Sequence, residues 1–264
     1  MQNPKIVFFD IDDTIYRKYT DTLRPSVAQA MSALKQRGIL TAIATGRAPV
    51  AIPAKIQNLI REAGIDLVIT INGQYCEFRN QPLRERPLDT DTIAKMCRFY
   101  DSKGIAYAFV GSDNIAVSEP TEWAEEALAK ILPVHLTDKD YYLNHPVYQM
   151  LVFYDESQDA EMNAEAAKAG LKNVRWHAKA VDTLHAEESK AQGIAAAVGM
   201  LGIDMQDVMA FGDGLNDVDM LKSVGFGVAM GNGTEQTKAA AKYVCPSVDE
   251  DGVLRGLQAL GVID

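Results

Sequence analysis

Short apolar runs recur along the chain, and each of them ends in a polar or glycine-containing turn. The first is Ile6–Phe9, and four more cover residues 39–44, 67–71, 208–211 and 226–230. A continuous apolar run of this length is typical of a strand that is buried on both faces of a sheet. We therefore predict a buried strand at each of the five runs.

Segments with helical periodicity lie between these runs. Val27, Ala30, Met31 and Leu34 follow the i, i+3, i+4, i+7 spacing of an apolar helix face, and residues 194–201 repeat it. Strands that alternate with helices are typical of a parallel sheet that is covered by helices on both faces. The pattern therefore predicts an α/β domain.

The middle of the chain follows a different pattern, in which several strands are neighbours in sequence. This mixture predicts a separate α+β domain at residues 83–184, inserted into an α/β domain that comprises residues 1–82 and 185–264. Both have the size of independent domains. The predicted elements of the insert are strands at 104–111, 114–119, 146–156 and, as a pair, 174–186, and helices near 90–103, 121–131 and 157–169.

Composition narrows the class of protein. The chain has 264 residues, of which 47% are apolar and 23% are charged, and its formal net charge is −10. This is an ordinary globular balance. Because the sequence has no stripe rich in Lys and Arg, nucleic acid is not expected as a partner. Any phosphorylated ligand would need local compensation from a metal ion, a lysine or helix N-termini.

Membrane and secretory signals are absent from the sequence. No apolar run reaches the roughly 18 residues of a membrane span, and the N-terminus lacks the basic and apolar segments of a secretory signal. Cys76, Cys97 and Cys245 are odd in number, widely spaced and outside any CxxC pair. This usage predicts a cytoplasmic protein whose cysteines are buried spectators. We expect no membrane partner, and a monomer or weak dimer.

Polar residues gather at the places where the predicted strands end. Because the carboxyl ends of parallel strands share one edge of a sheet, these residues are expected to converge there. Their carboxylates are the hard oxygen ligands that Mg²⁺ prefers. They are Asp10, Asp12, Asp13 and Thr14 after the first run, Thr45, Gly46 and Arg47 after the second, Asn72 and Gly73 after the third, and Gly212, Asp213, Gly214, Asn216 and Asp217 after the fourth.

Each of these groups also has a purely structural explanation. Aspartates at a strand end often form turns or helix caps, and Asn72-Gly73 is the commonest hairpin signal. One shared site explains all four groups together more simply than four unrelated turns. Other catalytic signatures are missing: there is no P-loop, no GxSxG and no HExxH, and Met230 replaces the third glycine of a dinucleotide fingerprint.

Several ordered motifs match a known family. They resemble the haloacid dehalogenase superfamily of phosphohydrolases, and within it the Cof-like sugar-phosphatase group. The resemblance covers essentially the whole chain and implies a doubly wound, Rossmann-like core with a mobile α/β cap inserted after the third core strand. The matching segments are DIDDT (10–14), ATGR (44–47), INGQ (71–74), SKAQGI (189–194), FGDGLNDVDML (211–221), GVAMGNG (227–233) and DEDGV (249–253).

The resemblance implies distinct roles for the catalytic residues. Asp10 is expected to attack phosphorus and form an aspartyl-phosphate, and Asp12 to protonate the leaving alkoxide and then activate water. Lys190 would offset the charge of the nucleophile and the phosphate; without the resemblance it would be interpreted as an exposed helix-start lysine. A positioned acid/base contributes about 10²–10⁴-fold, so Asp12→Ala is expected to lose about that much.

Mg²⁺ is the cofactor that the resemblance implies, because phosphoryl transfer requires neutralisation of charge on the transferred oxygens. Asp10, Asp213 and the backbone carbonyl of Asp12 would ligate the ion, and Asp217 would support its shell. Beside the metal, Asp10 is expected to have a lowered pKa, while the Asp12 side chain stays free to carry a proton. The expected phosphate-binding residues are Thr45, Gly46, Arg47, Asn72, Gly73 and Asn216, with helix capping near Pro49 as the alternative for Arg47.

Asp13 departs from the family pattern, in which glycine occupies this position. Glycine often marks a positive φ, and Asp tolerates the left-handed conformation better than most residues, so the loop geometry is expected to survive. The Asp13 side chain would lie in the outer shell of the metal or in solvent, and solvent is the expectation. Asp13→Gly should leave turnover within about threefold, and a loss beyond about a hundredfold, roughly 2.7 kcal/mol, would contradict this.

The expected function is Mg²⁺-dependent hydrolysis of small phosphorylated metabolites. Sugar phosphates come first, and pyridoxal phosphate or flavin mononucleotide are further candidates. Two alternatives stay open: a phosphomutase of the same superfamily, which would keep its aspartyl-phosphate away from water, and a non-catalytic module that binds phosphorylated metabolites. A dehalogenase is disfavoured, because that branch needs neither Mg²⁺ nor an acid of the Asp12 type.

Overall fold

The computed structural model describes residues 3–129 and 135–264. The strands are β1 (Ile6–Phe9), β2 (Tyr16–Arg17), β3 (Thr22–Leu23), β4 (Leu40–Ala44), β5 (Leu67–Thr70), β6 (Tyr75–Phe78), β7 (Gln81–Glu85), β8 (Tyr107–Val110), β9 (Ile115–Val117), β10 (Leu136–Thr137), β11 (Gln149–Val152), β12 (Leu171–His177), β13 (Ala180–His185), β14 (Val208–Gly212), β15 (Phe226–Ala229) and β16 (Tyr243–Val244). The α-helices are α1 (Pro25–Gln36), α2 (Ala54–Ala63), α3 (Thr90–Lys103), α4 (Glu122–Leu128), α5 (Asp159–Lys168), α6 (Lys190–Met200), α7 (Val218–Ser223), α8 (Glu235–Ala240) and α9 (Gly252–Ala259). The last two residues of the helix predicted at 121–131 lie outside the described residues.

The chain divides into two compact units. We call them the core unit, which consists of Met1–Arg47, Ile52–Glu85 and Ser189–Asp264, and the insert unit, which consists of Ala48–Ala51 and Arg86–Glu188. Both limits of the insert lie slightly further along the chain than the predicted residues 83 and 184. At the first limit the reason is that β7 still pairs with β6 in the sheet of the core unit.

The core unit is built on an eight-stranded sheet with β1 near its centre. The strand order is β16-β15-β14-β1-β4-β5-β6-β7. The strands from β16 to β5 are parallel, and β6 and β7 are antiparallel. Val7 and Phe9 pack with α1, α2 and α9, whereas Ile6 and Phe8 pack with α6 and α7. The predicted α/β class, with helices on both faces of a parallel sheet, is confirmed.

All five predicted apolar strands belong to this sheet. The run at 67–71 ends one residue early, because Ile71 and Asn72 have φ values of +50° and +51°. They begin the single helical turn Ile71–Gly73, which joins β5 to the antiparallel strand β6. The hairpin signal of Asn72-Gly73 therefore does form a turn, and the turn lies at the candidate edge of the sheet.

The insert unit is an α+β structure. Its six-stranded sheet has the order β10-β9-β8-β11-β13-β12 and is antiparallel except between β9 and β10. Helices α3 and α5 cover one face, where Met96, Tyr100 and Met162 share an apolar cluster with residues of the strands. The two predicted strand pairs are confirmed as β8–β9 and β12–β13.

Two expectations from composition concern cysteines and membrane spans. The three cysteines are all free and buried. Among the residues that the structure describes, no helix combines the length and the apolar content needed to cross a membrane. Burial raises the pKa of Cys245 to about 12, so its thiol stays protonated and unreactive near neutral pH.

Candidate active site

The carboxyl ends of β1, β4 and β14 lie side by side. In the register of the sheet, Phe9 is level with Ile43 of β4 and with Phe211 of β14. The backbone N–H of Asp10 donates to the carbonyl of Phe211 at 3.0 Å, so Asp10 stands directly beyond the buried strand. The predicted convergence of strand-end residues is therefore present in the core unit.

Lys190 joins two carboxylates in the interior of this edge. Its Nζ donates to Oδ1 of Asp10 at 2.6 Å and to Oδ1 of Asp217 at 2.7 Å. The lysine is only 1% exposed, although it is the first residue of α6. Burial alone would lower the pKa of Lys190, but the charges of Asp10 and Asp217 outweigh burial and raise it. Lys190 is therefore held as a cation between the two acids.

Asp217 uses its second oxygen to hold the loop after β14. Its Oδ2 accepts the backbone N–H groups of Asp213 and Gly214, each at 2.9 Å. The side chain is fully buried. Because both oxygens already accept hydrogen bonds, Asp217 fixes the positions of Lys190 and Asp213 relative to each other.

Asp213 is brought to the same place and is fixed by Thr14. The hydroxyl of Thr14 donates to Oδ1 of Asp213 at 2.8 Å, which links the loop after β1 to the loop after β14. Burial raises the pKa of Asp213 to about 7, against the hydrogen bond from Thr14 and together with the charges of Asp217 and Asp13. No role was predicted for Thr14, although it directly follows the aspartates in the sequence.

The donor set fits a divalent cation. Carboxylate oxygens of Asp10, Asp213 and Asp217 all lie within 4.8 Å of one another, and hard oxygens of this kind suit such ions. Lys190 is the cation bonded to this group, so three acids face one ammonium. Burial raises the pKa of Asp10 well above its usual range, although the charge of Lys190 opposes the rise. The lowered pKa expected for Asp10 assumed a metal ion beside it, whereas the chain by itself raises this pKa. A bound cation would relieve the excess negative charge.

Asp12 and Arg47 form a two-bonded ion pair. Arg47 Nε donates to Oδ2 of Asp12 at 2.7 Å, and its terminal nitrogen donates to Oδ1 at 2.8 Å. The Asp12 side chain is therefore held by Arg47 in this structure, whereas its freedom from the metal and its role in carrying a proton stay predictions. Both oxygens of Asp12 accept a hydrogen bond from Arg47, and the pair fixes the direction of the Asp12 side chain.

The predicted phosphate-binding residues surround the ends of β4 and β5. Thr45 is buried, and its hydroxyl accepts the backbone N–H of Arg47 at 3.2 Å. Its carbonyl accepts the N–H of Asn72, also at 3.2 Å. A Cβ added to Gly46 would lie 3.0 Å from Oδ1 of Asn72. Thr45, Gly46, Arg47 and Asn72 are thus close together, whereas Asn216 is exposed on the turn after Gly214.

Gly73 and Gly193 bring two backbones into direct contact. A Cβ added to Gly193 would lie 2.4 Å from Cα of Gly73, and one added to Gly73 would lie 2.5 Å from the carbonyl oxygen of Ser189. Gly73 also has a φ of +101°, which disfavours any other residue. The first turn of α6, which carries Lys190, is therefore seated on the turn after β5. In the sequence, the sign of this close contact is Gly193, the glycine three residues after Lys190.

Asp13 does not point freely into solvent. Its φ of +57° confirms that this position requires the left-handed conformation. Its carboxylate accepts a hydrogen bond from Arg17 at 3.1 Å, and the side chain is 18% exposed. The solvent interpretation is wrong because the hairpin of β2 and β3 returns Arg17 to the loop.

Comparisons with known proteins agree with this geometry. Residues 7–257 match the model of a family described as haloacid dehalogenase-like hydrolases. A Streptococcus pyogenes relative, provisionally named a bifunctional phosphatase/peptidyl-prolyl cis-trans isomerase, is 33% identical over 261 residues. That alignment covers 98% of this chain but 54% of the relative, so this chain spans about half of that protein.

Two further comparisons extend over whole proteins. A Bacillus subtilis relative provisionally named phosphatase YkrA is 34% identical over 261 residues, which cover 98% of each chain. A solved structure of the subclass IIB sugar phosphatase BT4131 is 32% identical, with a TM-score of 0.86 over 98% of this chain and 100% of that one. The chain therefore belongs to the haloacid dehalogenase-like hydrolases, within them to the Cof-like phosphohydrolases, and is an enzyme of the phosphatase class.

Proposed function

We propose that the protein hydrolyses small phosphorylated metabolites with the help of Mg²⁺ and through an aspartyl-phosphate on Asp10. The observation that carries this proposal is the buried contact of Asp10 with Lys190 at 2.6 Å, beside the carboxylates of Asp213 and Asp217. Such an arrangement holds a nucleophile in one position and offsets negative charge where a phosphate would approach.

The first step in this proposal forms a bond between a carboxylate oxygen of Asp10 and phosphorus. The bond from phosphorus to the alkoxide oxygen of the substrate breaks, and Asp12 gives that oxygen a proton. Both oxygens of Asp12 bond to Arg47 in the structure, so delivery of the proton to the leaving group is proposed to accompany a shift of Arg47. Substrate binding is the natural trigger, since a phosphoryl group offers the guanidinium an alternative acceptor.

The second step reverses the role of Asp12. Its carboxylate takes a proton from water, the water oxygen bonds to phosphorus, and the acyl-phosphate bond between phosphorus and the Asp10 oxygen breaks. Inorganic phosphate and the original Asp10 carboxylate are the products. In the free site Lys190 carries its proton, because Asp10 and Asp217 hold its pKa above the usual range.

Asp10 and Asp213, with the backbone carbonyl of Asp12, are the proposed ligands of Mg²⁺, and Asp217 supports them through Lys190 and the loop N–H groups. When bound, the ion neutralises charge on the transferred phosphoryl oxygens. Thr45, Gly46, Arg47, Asn72, Gly73 and Asn216 are the proposed contacts of the phosphoryl group.

Sugar phosphates are the proposed substrate class, with other small phosphorylated metabolites such as pyridoxal phosphate or flavin mononucleotide as further candidates. The support is the similarity to the sugar phosphatase BT4131, whose structure matches 98% of this chain at 32% identity. The insert unit is proposed to serve as the cap that selects the leaving group. Free, buried cysteines suit the cytoplasmic location that the sequence predicts.

The test is phosphate release from a panel of phosphorylated metabolites, with Mg²⁺ and with EDTA, for the wild type and Asp10→Asn. We expect release only from the wild type with Mg²⁺. Activity that survives both chelation and the substitution would refute the mechanism. Transfer of phosphate between hydroxyls without net release would instead identify a phosphomutase, and binding without either reaction would identify a non-catalytic module.

A further inference from the structure

The turn that contains Asp13 is fixed on both sides by its backbone. The N–H of Asp13 donates to the carbonyl of Tyr16 at 2.7 Å, and the Asp13 carbonyl accepts Nδ2 of Asn232 at 2.8 Å. Asn232 is fixed in turn, because its Oδ1 accepts the N–H of Val248 at 2.8 Å. The direction in which the Asp13 side chain leaves the turn is therefore set by the surrounding loops.

Arg17 is positioned to cancel the charge of this side chain. One terminal nitrogen of Arg17 donates to Asp13 at 3.1 Å, while its Nε and other terminal nitrogen contact Asp249 at 3.1 and 2.5 Å. Asp249 is more than half exposed, whereas Asp13 is mostly buried. Asp249 thus anchors the guanidinium from the solvent side, and the remaining donor is directed at Asp13.

The site has little tolerance for another unpaired anion. Three carboxylates already face the single ammonium of Lys190, and the charge of Asp13 acts on Asp213. In the part of the chain that the structure describes, Arg17 is the cation hydrogen-bonded to the Asp13 carboxylate. Without it, the partly buried charge of Asp13 would act unopposed on the part of the site where Thr14, the next residue, contacts Asp213.

We propose that Arg17 is a positioning residue that masks the Asp13 charge from the incoming phosphoryl group. Asp13 supplies only the left-handed turn for which the family uses glycine, and its carboxylate is tolerated because Arg17 neutralises it. This inference rests on the proposed function. It predicts an asymmetry within one ion pair: loss of the arginine is harmful, and loss of the aspartate is not.

The test compares Arg17→Gln, Asp13→Asn and the double variant. Arg17→Gln should raise the KM for p-nitrophenyl phosphate by about tenfold and weaken the binding of inorganic phosphate similarly, with kcat within about threefold. Asp13→Asn keeps a residue that tolerates positive φ and should stay within about threefold in both measurements. The double variant should return to the Asp13→Asn level, because the unmasked charge is gone.

Arg37→Gln is the matched control. It removes one positive charge from a surface ion pair with Asp264 at the end of α1, in the same core unit. Phosphate binding, measured by calorimetry, should be unchanged in this variant. The defect of Arg17→Gln should shrink in high salt, whereas a defect from misfolding should not.

Two results would overturn the inference. One is an Arg17→Gln variant with unchanged KM and phosphate binding. The other is a double variant as impaired as Arg17→Gln, which would show that Arg17 acts on the structure rather than on the charge. Asp10→Asn separates this inference from the proposed function: phosphate release that survives Asp10→Asn refutes the function, whereas the results above refute only the role of Arg17.

Discussion

Two groups of ionic contacts lie at the same sheet edge and differ in balance. We call Asp10, Lys190, Asp213 and Asp217 the inner cluster, and the pairs Asp12–Arg47 and Asp13–Arg17 the rim pairs. In the inner cluster three acids share one lysine, and Lys190 and Asp217 are almost completely buried. In the rim pairs each acid bonds to a different arginine, although Arg17 also bonds Asp249, and all four side chains are partly exposed.

The difference separates two uses of charge. A buried cluster with excess negative charge is unfavourable alone and becomes favourable when a cation binds. A partly exposed ion pair adds less to stability than a buried cluster and can exchange its partners more readily. The inner cluster is therefore suited to holding a metal and a nucleophile, and the rim to handling protons and substrate charge.

The largest effect is expected for the rim residue Asp12, whose loss should lower turnover much more than stability. Asp12→Ala should lower kcat by about 10²–10⁴-fold, because it removes the proposed acid/base. Steady-state kinetics and thermal unfolding would be measured on the same samples. Asp249→Ala is the control, since it also removes an arginine partner but has no proposed catalytic role, and its kcat should stay within about threefold. Equal losses in the two variants would contradict the assignment of Asp12.

The next effect concerns the inner cluster and should appear in both measurements. Lys190→Met leaves two buried carboxylates without their cation, which should destabilise the protein by about 3–5 kcal/mol. Turnover should fall by about 10²–10³-fold as well. Lys5→Met is the matched control: Lys5 also contacts an aspartate, Asp207, at 2.6 Å, but is 61% exposed, so its urea unfolding midpoint should stay close to that of the wild type. Similar unfolding midpoints for the two variants would remove the distinction between cluster and surface pair.

A smaller effect is expected in the pH dependence of stability without metal. The folded-state pKa of Asp213 is raised from 3.8 to about 7, so between these values the folded protein keeps a proton that the unfolded chain has lost. The contribution of Asp213 to the free energy of unfolding should therefore be largest below pH 3.8. It should fall as the pH rises towards 7, by at most about 1.4 kcal/mol per pH unit.

The measurement is urea unfolding at several pH values in EDTA, for the wild type and Asp213→Asn. The difference in unfolding free energy between the two proteins should grow as the pH rises from 3.8 to about 7. Mg²⁺ should reduce this difference, because it favours the ionised carboxylate. Parallel pH profiles of the two proteins would show that Asp213 titrates normally.

The smallest effect is expected for Asp13→Gly. Arg17 keeps its contacts with Asp249, and glycine accepts the φ of +57°, so turnover should remain within about threefold. Steady-state kinetics with Mg²⁺ would measure it. A loss beyond about a hundredfold, roughly 2.7 kcal/mol, would mean that the Asp13 carboxylate itself takes part in the reaction.

The sequence predicts the scaffold well, because buried parallel strands leave continuous apolar runs. It predicts the meeting of Asp10 and Asp213 because both follow such strands. The position of Lys190 came only from the family resemblance, since nothing local distinguishes a buried helix-start lysine from an exposed one. The pairing of Arg47 with Asp12 and of Arg17 with Asp13 was missed, because both depend on the path of turns whose backbone angles no periodicity encodes.

The contact between Gly73 and Gly193 also has a topological consequence. The insert unit is encoded almost entirely between these two glycines, and their backbones touch within the core unit. Arg84, near the point where the chain leaves the core, donates to the carbonyl of Gly73 at 2.5 Å. The long intervening segment is thus a loop that is closed at its base. Exchanging it for the insert of another family member would leave this closure, and with it the seat of Lys190, unchanged. Evolution could therefore change the insert without changing the contact that seats Lys190.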